Sequence, residues 1–275
     1  MLDYDKEAAR YDATRGGDAR ADAAAAAIIK LLPGTARRIV DLACGTGIVT
    51  VRLAGPGRPD ETSGQDETGG QNTVLGIDRS PGMAAVAARR MPGRITVGNA
   101  TRLPLGSGSA DAVTIVWLLH LLSEADSERV IAEAARVLRP GGALITTVDK
   151  NDAAYRTGDD MARVIWPVRT AAAVDQTDEA GRVITLARAY GLEPAAETTF
   201  TGIGQGMSPR EQGELVRAGR PRWTTGLPAD RIERLRQDLA ALPDQDRARS
   251  NPVYKLLSLR KQQHYDKLQR IAEQA

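Results

Sequence analysis

The most informative stretch of the sequence reads Asp41-Leu42-Ala43-Cys44-Gly45-Thr46-Gly47. It follows the run Arg38-Ile39-Val40 and precedes the run Ile48-Val49-Thr50-Val51-Arg52-Leu53. This order predicts a strand that ends in a carboxylate, then a glycine turn, then a helix that begins at Gly47. Glycine allows positive φ angles and the close approach of a ligand, and the first N–H groups of a helix have no partner within it. The stretch therefore predicts a ligand site at the tip of the first strand.

The glycine turn does not fit the dinucleotide-binding pattern. That pattern is Gly-x-Gly-x-x-Gly/Ala, and its third glycine lets the helix pack closely on the strand. Thr50 occupies the third position in this sequence. A nicotinamide or flavin cofactor is therefore disfavoured, although this stretch by itself leaves a purely structural turn open.

The composition is that of an ordinary globular protein. The chain has 275 residues, of which 42% are hydrophobic and 26% are charged, so it has room for one large α/β domain or two small ones. Its 37 basic and 35 acidic residues give a formal net charge of only +2. A nucleic-acid partner is therefore disfavoured, because such proteins usually carry a clustered basic face.

The sequence gives little support to metal, disulfide or membrane chemistry. Cys44 is the only cysteine, and His120 and His264 are the only histidines, too few for a thiolate or imidazole metal site. No run of about 18 apolar residues is present, and the charged start of the chain does not resemble a signal peptide. We expect no metal, no membrane partner and a cytoplasmic location.

Strands and helices alternate along the first half of the chain. After the first strand, further apolar runs predict strands at 73–78, 95–97, 110–116 and 143–148, with helices between them. This alternation is typical of an α/β fold with a doubly wound, mostly parallel sheet. Beyond residue 149 the pattern loosens into helices and two more strands. The polar segment 55–72 predicts a loop, and residues 264–273 predict a terminal helix.

Several motifs, in order, resemble those of class I methyltransferases that use S-adenosyl-L-methionine (SAM), in particular the type 11 family. The glycine stretch resembles that family's acidic-x-x-x-Gly-x-Gly, and the second strand ends in Asp78, as the family's ribose-binding strand does. Gly98-Asn99-Ala100-Thr101-Arg102-Leu103-Pro104-Leu105 resembles Gly-Asp-Ala-x-x-Leu-Pro-Phe, with Asn99 in place of the acid.

Three more segments carry the same resemblance. Trp117-Leu118-Leu119-His120-Leu121-Leu122 is similar to x-Val-Leu-His-His-Leu, and Arg136-Val137-Leu138-Arg139-Pro140-Gly141-Gly142 is similar to Arg-Val-Leu-Lys-Pro-Gly-Gly. Tyr4-Asp5-Lys6-Glu7-Ala8-Ala9-Arg10-Tyr11-Asp12 resembles the family's N-terminal Tyr-Asp-x-x-Ala-x-x-Tyr-Asp. The resemblance covers about residues 4 to 150.

The resemblance implies a Rossmann-like, seven-stranded sheet with a helical lid. Residues 1–35 would form a helical cap over the cofactor, and residues 36–275 the SAM-binding domain, with a lid insertion around 203–250. The expected cofactor contacts fall on the turn, on the tips of the strands and on the cap. They are Tyr11, Asp41, Ala43, Gly45, Thr46, Gly47, Asp78, Arg79, Met83, Asn99, Ala100 and Trp117.

Within this set, each residue has an expected partner. Asp41 and the turn would hold the amino-acid end of SAM, and Tyr11 would reach the methionine moiety. Asp78 would bind the ribose, and the residues from Arg79 to Ala100 in the set would surround the adenine. Trp117 would flank the sulfonium, because an aromatic face stabilises a cation.

His120 is the candidate catalytic residue. Its unperturbed pKa lies near neutrality, which suits a general base, although a structural histidine bonded to a backbone group stays open. The substrate would lie against Trp117, His120, Met207 and Trp223, with Tyr155 and Trp166 as further candidates.

The predicted function is SAM-dependent methyl transfer to a small-molecule acceptor, with S-adenosyl-L-homocysteine as product. O-methylation of a secondary metabolite is preferred, because a histidine base suits a weakly acidic hydroxyl. N- or C-methylation and a non-catalytic SAM-binding homologue are the alternatives. The terminal helices leave a homodimer open.

Overall fold

The computed structural model describes residues 3–55, 72–172 and 176–263. Nearly all of the predicted loop 55–72 and all of the predicted helix 264–273 lie outside the described residues. The fold is set out below for the ranges that the structure describes.

A single seven-stranded sheet organises the chain. Its strands are β1 (Arg38–Leu42), β2 (Thr73–Asp78), β3 (Ile95–Val97), β4 (Ala110–Ile115), β5 (Leu138–Val148), β6 (Leu192–Thr201) and β7 (Val253–Lys261). They lie side by side in the order β3-β2-β1-β4-β5-β7-β6. Neighbours among the first five strands are parallel, and β7 is antiparallel to both β5 and β6. The predicted doubly wound, mostly parallel fold class is therefore confirmed.

Helices cover both faces of the sheet, and further helices lie in the chain between β6 and β7. They are α1 (Tyr4–Glu7), α2 (Tyr11–Thr14), α3 (Gly17–Leu31), α4 (Thr50–Leu53), α5 (Pro81–Arg90), α6 (Glu124–Val137), α7 (Asp160–Ala171), α8 (Ala180–Arg188), α9 (Pro209–Arg217) and α10 (Ala229–Ala240).

The hydrophobic core has two layers, one on each face of the sheet. On one face, α6 and α8 pack their buried apolar side chains against β4, β5 and β7. On the other face, the Ala-rich helix α3 packs against β1, β2 and β7. Covering both faces explains why the parallel strands are nearly continuous apolar runs. A third apolar cluster joins α7, α9 and α10, so these helices have a hydrophobic interior of their own.

The strand order reverses between β1 and β4, which opens a crevice at the carboxyl ends of these strands. Ligands of open α/β sheets bind in such a crevice. Three non-glycine residues adopt left-handed φ angles directly beyond neighbouring strands: Ala43 (φ 56°) after β1, Trp117 (φ 59°) after β4 and Asp149 (φ 53°) after β5. Such backbone conformations are uncommon and concentrate at functional sites. The strained positions therefore mark the same edge of the sheet as the sequence motifs.

Two predicted boundaries are wrong. The helix expected from Gly47 begins only at Thr50, because Gly47 itself takes a left-handed φ of 73° and belongs to the turn. With four residues, α4 is too short to form an N-terminal ligand site. The fifth strand begins at Leu138 and not at Ala143, since Leu138 already pairs with Ala110 of β4.

Candidate active site

Asp41 is the carboxylate at the end of β1, and it is buried. Its two oxygens accept hydrogen bonds from the hydroxyls of Thr50 (2.6 Å) and Thr114 (2.7 Å). Burial raises the pKa of Asp41 to about 6, against the opposing effect of these two hydrogen bonds, and the charge of Asp78 adds to the rise. Asp41 therefore joins the segment after the turn to β4 and places a carboxyl group at the point where the strand order reverses.

Asp78 is the second carboxylate of the crevice, at the tip of β2. It accepts hydrogen bonds from the backbone N–H groups of Gly45 and Ser80, each at 2.8 Å. Burial raises the pKa of Asp78, although both backbone hydrogen bonds favour its ionised form. Asp78 thereby holds the glycine turn from the side of β2, opposite Asp41.

The glycine turn uses its two glycines differently. Gly45 has φ +57°, and a Cβ at this position would meet no atom within 4 Å. At Gly47, with φ +73°, a Cβ would lie 3.0 Å from the Cβ of Ala87 on α5. Gly47 therefore allows close packing of the helix, whereas Gly45 leaves open space beside Asp78.

The N-terminal helices dock on the tips of β1 and β2. The Thr46 hydroxyl in the turn donates to Asp12 Oδ1 at 2.5 Å. Arg90 of α5 completes this contact, because it donates to Asp12 Oδ2 at 2.7 Å and to the Thr46 carbonyl oxygen at 2.6 Å. Asp12 was part of a sequence motif but was not among the predicted site residues.

A second contact fixes α1. Asp5 accepts hydrogen bonds from the Ser80 hydroxyl (2.5 Å) and from the backbone N–H of Gly82 (2.8 Å). Tyr11 is half-buried, and its ring lies 6.3 Å from that of Tyr4. These contacts place residues 4–14 over the glycine turn, and the role of Tyr11 toward the cofactor stays a prediction.

The four residues predicted to contact the adenine differ in how exposed they are to solvent. Arg79 and Asn99 are exposed, and Asn99 Oδ1 accepts a hydrogen bond from the Thr101 N–H at 3.0 Å. Ala100 is half-buried against the core. Met83 is only 2% exposed, so its side chain packs inside and offers a ligand little surface. The four adenine assignments stay predictions.

Trp117, beyond β4, lies in a cluster that the sequence did not predict. Its backbone N–H donates to the Thr147 hydroxyl at 2.8 Å, and its ring lies 5.8 Å from Phe200 and 5.9 Å from Tyr254. The guanidinium of Arg20 lies 4.0 Å from the Trp117 ring centroid. A cation of the protein itself therefore stacks on the ring that was expected to flank the sulfonium.

The sequence pattern around Arg20 could have identified it as a candidate site residue. It occurs in the Ala-rich helix α3, in register with Ala24, Ile28 and Leu31, which are all buried. A charge on an otherwise apolar helix face is rarely placed in a core without a purpose.

His120 does not have the electrostatics of a general base. Burial and the nearby charge of Lys150 lower the pKa of His120 to about 2. Its Nδ1 atom is buried and has no hydrogen-bond partner among the residues that the structure describes. A neutral imidazole that takes up a proton only in strong acid is a weak base at neutral pH, so the structure offers no electrostatic support for that predicted role.

Lys150 is a functional candidate that the sequence interpretation missed. It lies two residues beyond β5, is half-buried, and its backbone N–H donates to Asp178 Oδ2 at 2.8 Å. Burial lowers the pKa of Lys150 to about 8, and the charges of Arg15 and Arg20 lower it further than Asp178 raises it. Its position at the carboxyl end of a parallel strand was the signal that could have found it.

The residues beyond β5 that were expected along the substrate mainly pack against one another. Tyr155 and Trp223 are buried in the apolar cluster of α7, α9 and α10, with ring centroids 5.7 Å apart, and Met207 packs against this cluster. Trp166 borders an open cleft of 590 Å³ and stacks with Arg156 at 4.8 Å. Tyr155 and Trp223 therefore pack inside this cluster, and their roles toward a substrate stay predictions.

Within residues 3–55, 72–172 and 176–263, no group of three or more His, Cys, Asp or Glu side chains could hold a metal ion. In the same ranges, no helix has the length and apolar character needed to cross a membrane.

Comparison with known families identifies a domain in the chain. Residues 40–146 match the methyltransferase domain family. An uncharacterized methyltransferase of Mycobacterium tuberculosis is 38% identical over 119 residues, which are 43% of this chain and 42% of that protein. A demethylmenaquinone methyltransferase of Beutenbergia cavernae is 37% identical over 148 residues, 52% of this chain and 54% of its own length. The chain spans about half the length of the curated relatives it matches.

Solved structures share the fold. A chain of the complex between the Haloferax volcanii Trm112 methyltransferase activator and a methyltransferase matches with a TM-score of 0.56 and 18% identity, covering 95% of this chain and 98% of that one. A SAM-dependent methyltransferase of Thermotoga maritima matches with 0.51 and 18%, covering 94% and 98%. The [4+2]-cyclase SpnF matches with 0.52 and 20%, covering 94% of each chain.

The fold is that of the class I SAM-dependent methyltransferases. Residues 40–146, which match the methyltransferase domain family, contain the glycine turn, Asp78, Trp117 and His120. The family resemblance that the motifs predicted is thereby confirmed, while the roles of individual site residues stay predictions.

Proposed function

We propose that the protein transfers the methyl group of SAM to a small-molecule acceptor and releases S-adenosyl-L-homocysteine. The observation that carries this proposal is the pair of carboxyl groups, the buried Asp41 and the half-buried Asp78, on either side of an open glycine turn. The turn lies where the strand order reverses. A ligand with a cationic end and a pair of hydroxyls complements such an arrangement.

The residues present fit SAM. The open space at Gly45 admits a ligand beside Asp78, whose carboxylate would accept hydrogen bonds from the ribose hydroxyls. The partners of Asp41 are neutral threonine hydroxyls, so its negative charge suits the ammonium group of the ligand. SAM bound there would supply an electrophilic methyl group on its sulfonium.

A small molecule is the acceptor that the relatives favour. One of them is named a demethylmenaquinone methyltransferase, and demethylmenaquinone is a small molecule. The near balance of 37 basic and 35 acidic residues supports the same choice, because nucleic-acid enzymes need a basic face.

Oxygen is the proposed target atom, in an acceptor of the secondary-metabolite type, and nitrogen or carbon is the alternative. The chain contributes position and shielding from water, which supply much of the rate in a displacement of this kind. Because His120 is held neutral, we assign it a place in the wall of the pocket. A proton acceptor, where the reaction needs one, is better sought in Lys150, whose pKa is about 8.

Calorimetric titration of the full chain with S-adenosyl-L-homocysteine tests the cofactor. We expect saturable binding with a dissociation constant in the micromolar range, about −8 kcal/mol, and no comparable heat with NAD. Absence of binding at ligand concentrations of about 1 mM would refute the proposal. The exposed Asp126→Ala variant, far along the chain from the turn, is the control for variants of the two carboxylates.

Transfer itself needs a separate experiment, because the fold does not determine the reaction. The cyclase SpnF shares this fold. Incubation with methyl-labelled SAM and a panel of phenols, amines and carbon acids should label a phenol or another oxygen acceptor. If only carbon or nitrogen acceptors are labelled, the target atom is carbon or nitrogen and not oxygen. Binding without any transfer would favour the non-catalytic alternative.

A further inference from the structure

Cationic side chains gather at the tips of β4 and β5. Arg20 stacks on Trp117 beyond β4, and Lys150 follows β5. Arg15, exposed at the end of α2, lies 5.7 Å from the Tyr11 ring and acts electrostatically on Lys150, as Arg20 does. The sheet order β2-β1-β4-β5 places this group beside the carboxylates of β1 and β2 and not on top of them.

These cations have few partners among the described residues. None of Arg15, Arg20 and Lys150 forms an ion pair there through its side chain. Arg20 is 5% exposed, and its Nε atom is buried without a hydrogen-bond partner. A buried guanidinium without a carboxylate costs several kcal/mol, so this arrangement is not one that stability alone would select.

Two neighbouring ring nitrogens also have no hydrogen-bond partner among the described residues. Trp117 Nε1 is buried without a partner, and so is Nδ1 of the neutral His120. The nearest acidic influence on Lys150 comes from Asp178, one of whose oxygens already accepts the Lys150 backbone N–H. The tips of β4 and β5 therefore carry positive charge and an unpaired indole donor. The acidic groups at this edge are Asp149 and Asp178, and the Oδ1 atom of Asp178 has no hydrogen-bond partner among the described residues.

We infer that Arg20 and Lys150, with Arg15 at the rim, form a subsite for an oxyanion carried by the methyl acceptor, a carboxylate or a phenolate. This inference rests on the proposed function, which places a cationic sulfonium next to the same cations. Like charges in a site of low dielectric repel strongly, and a negatively charged acceptor between them removes the repulsion. Charge-assisted hydrogen bonds from Arg and Lys to an oxyanion are also the strongest available here.

The carboxylate of SAM is the other source of the same chemistry. The strand positions favour the acceptor, because the turn and Asp78 lie at β1 and β2, whereas Trp117 and Lys150 lie beyond β4 and β5. The two sources can be separated by comparing ligands with and without the amino-acid end of the cofactor.

The first experiment titrates the full chain with benzoate and with benzamide, a neutral molecule of similar shape, at low ionic strength. We expect benzoate to bind about tenfold tighter than benzamide, with and without S-adenosyl-L-homocysteine. Arg20→Gln and Lys150→Gln should each abolish that preference, and Arg20→Lys, which keeps the charge, should retain part of it. Arg234→Gln, on the exposed face of α10, is the matched control and should leave the preference unchanged.

The second experiment compares S-adenosyl-L-homocysteine with 5′-methylthioadenosine, which lacks the whole amino-acid end, both the carboxylate and the ammonium group. We expect both variants to bind the two ligands as the wild type does. Selective loss of S-adenosyl-L-homocysteine affinity, by about tenfold, would assign the cations to the cofactor and overturn the inference. Equal binding of benzoate and benzamide, or no benzoate binding at all, would also overturn it.

The two proposals fail separately. A wild-type chain that binds benzoate selectively but not S-adenosyl-L-homocysteine would refute the SAM site and keep the anion subsite. A chain that binds S-adenosyl-L-homocysteine but does not prefer benzoate to benzamide would keep the SAM site and refute the anion subsite. If Arg20→Gln does not fold, Lys150→Gln provides the same comparison from a half-buried position.

Discussion

The Thr46 hydroxyl donates a 2.5 Å hydrogen bond to Asp12, 34 residues earlier in the chain. This bond joins the N-terminal segment to the middle of the glycine turn. Since Arg90 contacts both residues, the segment, the turn and α5 form one connected network. Movement of the N-terminal helices and access to the turn are therefore coupled.

Asp12→Ala should loosen that network. The substitution removes the carboxylate that accepts hydrogen bonds from the Thr46 hydroxyl and the Arg90 guanidinium. We expect this loss to weaken the docking of residues 4–14 by about 1–3 kcal/mol. Amide hydrogen exchange in this segment should therefore speed up by about tenfold or more, and S-adenosyl-L-homocysteine should dissociate faster. Exchange measured by mass spectrometry on the full chain, with stopped-flow dissociation, tests both effects.

Asp18→Ala is the matched control for this prediction. Asp18 belongs to the same N-terminal region and pairs with Arg52, but its side chain is 81% exposed, and exposed pairs contribute little. Equal effects of the two substitutions would show that the network around Thr46 has no special part in holding the segment.

Asp78→Ala should weaken cofactor binding. The variant removes the acceptor proposed for the ribose hydroxyls and frees the backbone N–H groups of Gly45 and Ser80. We expect a loss of about 1–3 kcal/mol in S-adenosyl-L-homocysteine affinity, as for a hydrogen bond to a charged group. Calorimetry beside Asp126→Ala measures it, and unchanged affinity would remove Asp78 from the site.

The sheet could be predicted from the sequence because its strands are short apolar runs that end at recognisable turns. Asp41 and Asp78 were found for the same reason, as acids placed at the ends of such runs. The helix α7 was not predicted, since Pro167 lies in its interior and proline usually argues against a helix.

Most of the site contacts that the sequence did not predict join residues that are far apart in the chain. Thr114 and Asp41 are 73 residues apart, and Lys150 and Arg20 belong to different ends of the domain. Local patterns carry no information on which distant groups meet. The exception is the Thr50 contact of Asp41, nine residues away, where an interrupted apolar run already placed a hydroxyl near the turn.

Asp41→Asn should stabilise the protein as the pH rises. The pKa of Asp41 is about 6 in the folded chain against 3.8 ordinarily, so its contribution to stability is present below about pH 4 and lost as the pH rises through 6. Asparagine cannot ionise, and its Oδ1 can accept from one threonine hydroxyl while its NH2 group donates to the other. The free energy of unfolding of the variant relative to the wild type should therefore increase between pH 4 and 6, by roughly 2–3 kcal/mol.

Urea denaturation at several pH values between 4 and 7.5 measures this difference. The control is Asp126→Asn, the same change at a site whose side chain is 42% exposed, for which we expect a difference near zero. A variant that is less stable than the wild type at pH 7.5 would contradict the assignment of Asp41 as a destabilised, buried carboxylate. The same variant should bind S-adenosyl-L-homocysteine more weakly, because it lacks the charge proposed to hold the ammonium.

His120 should remain neutral throughout the physiological pH range. Burial and Lys150 lower its pKa to about 2, so its ring signals should not shift between pH 5 and 8 in two-dimensional NMR spectra. The chain has only two histidines, and His264→Gln leaves His120 as the single imidazole, which assigns the signal. Lys150→Met should raise the pKa of His120, because it removes the one charge that acts on the ring, but burial should still keep it below the ordinary 6.5. A wild-type titration centred near 6.5 would contradict the buried neutral state and return His120 to the role of general base.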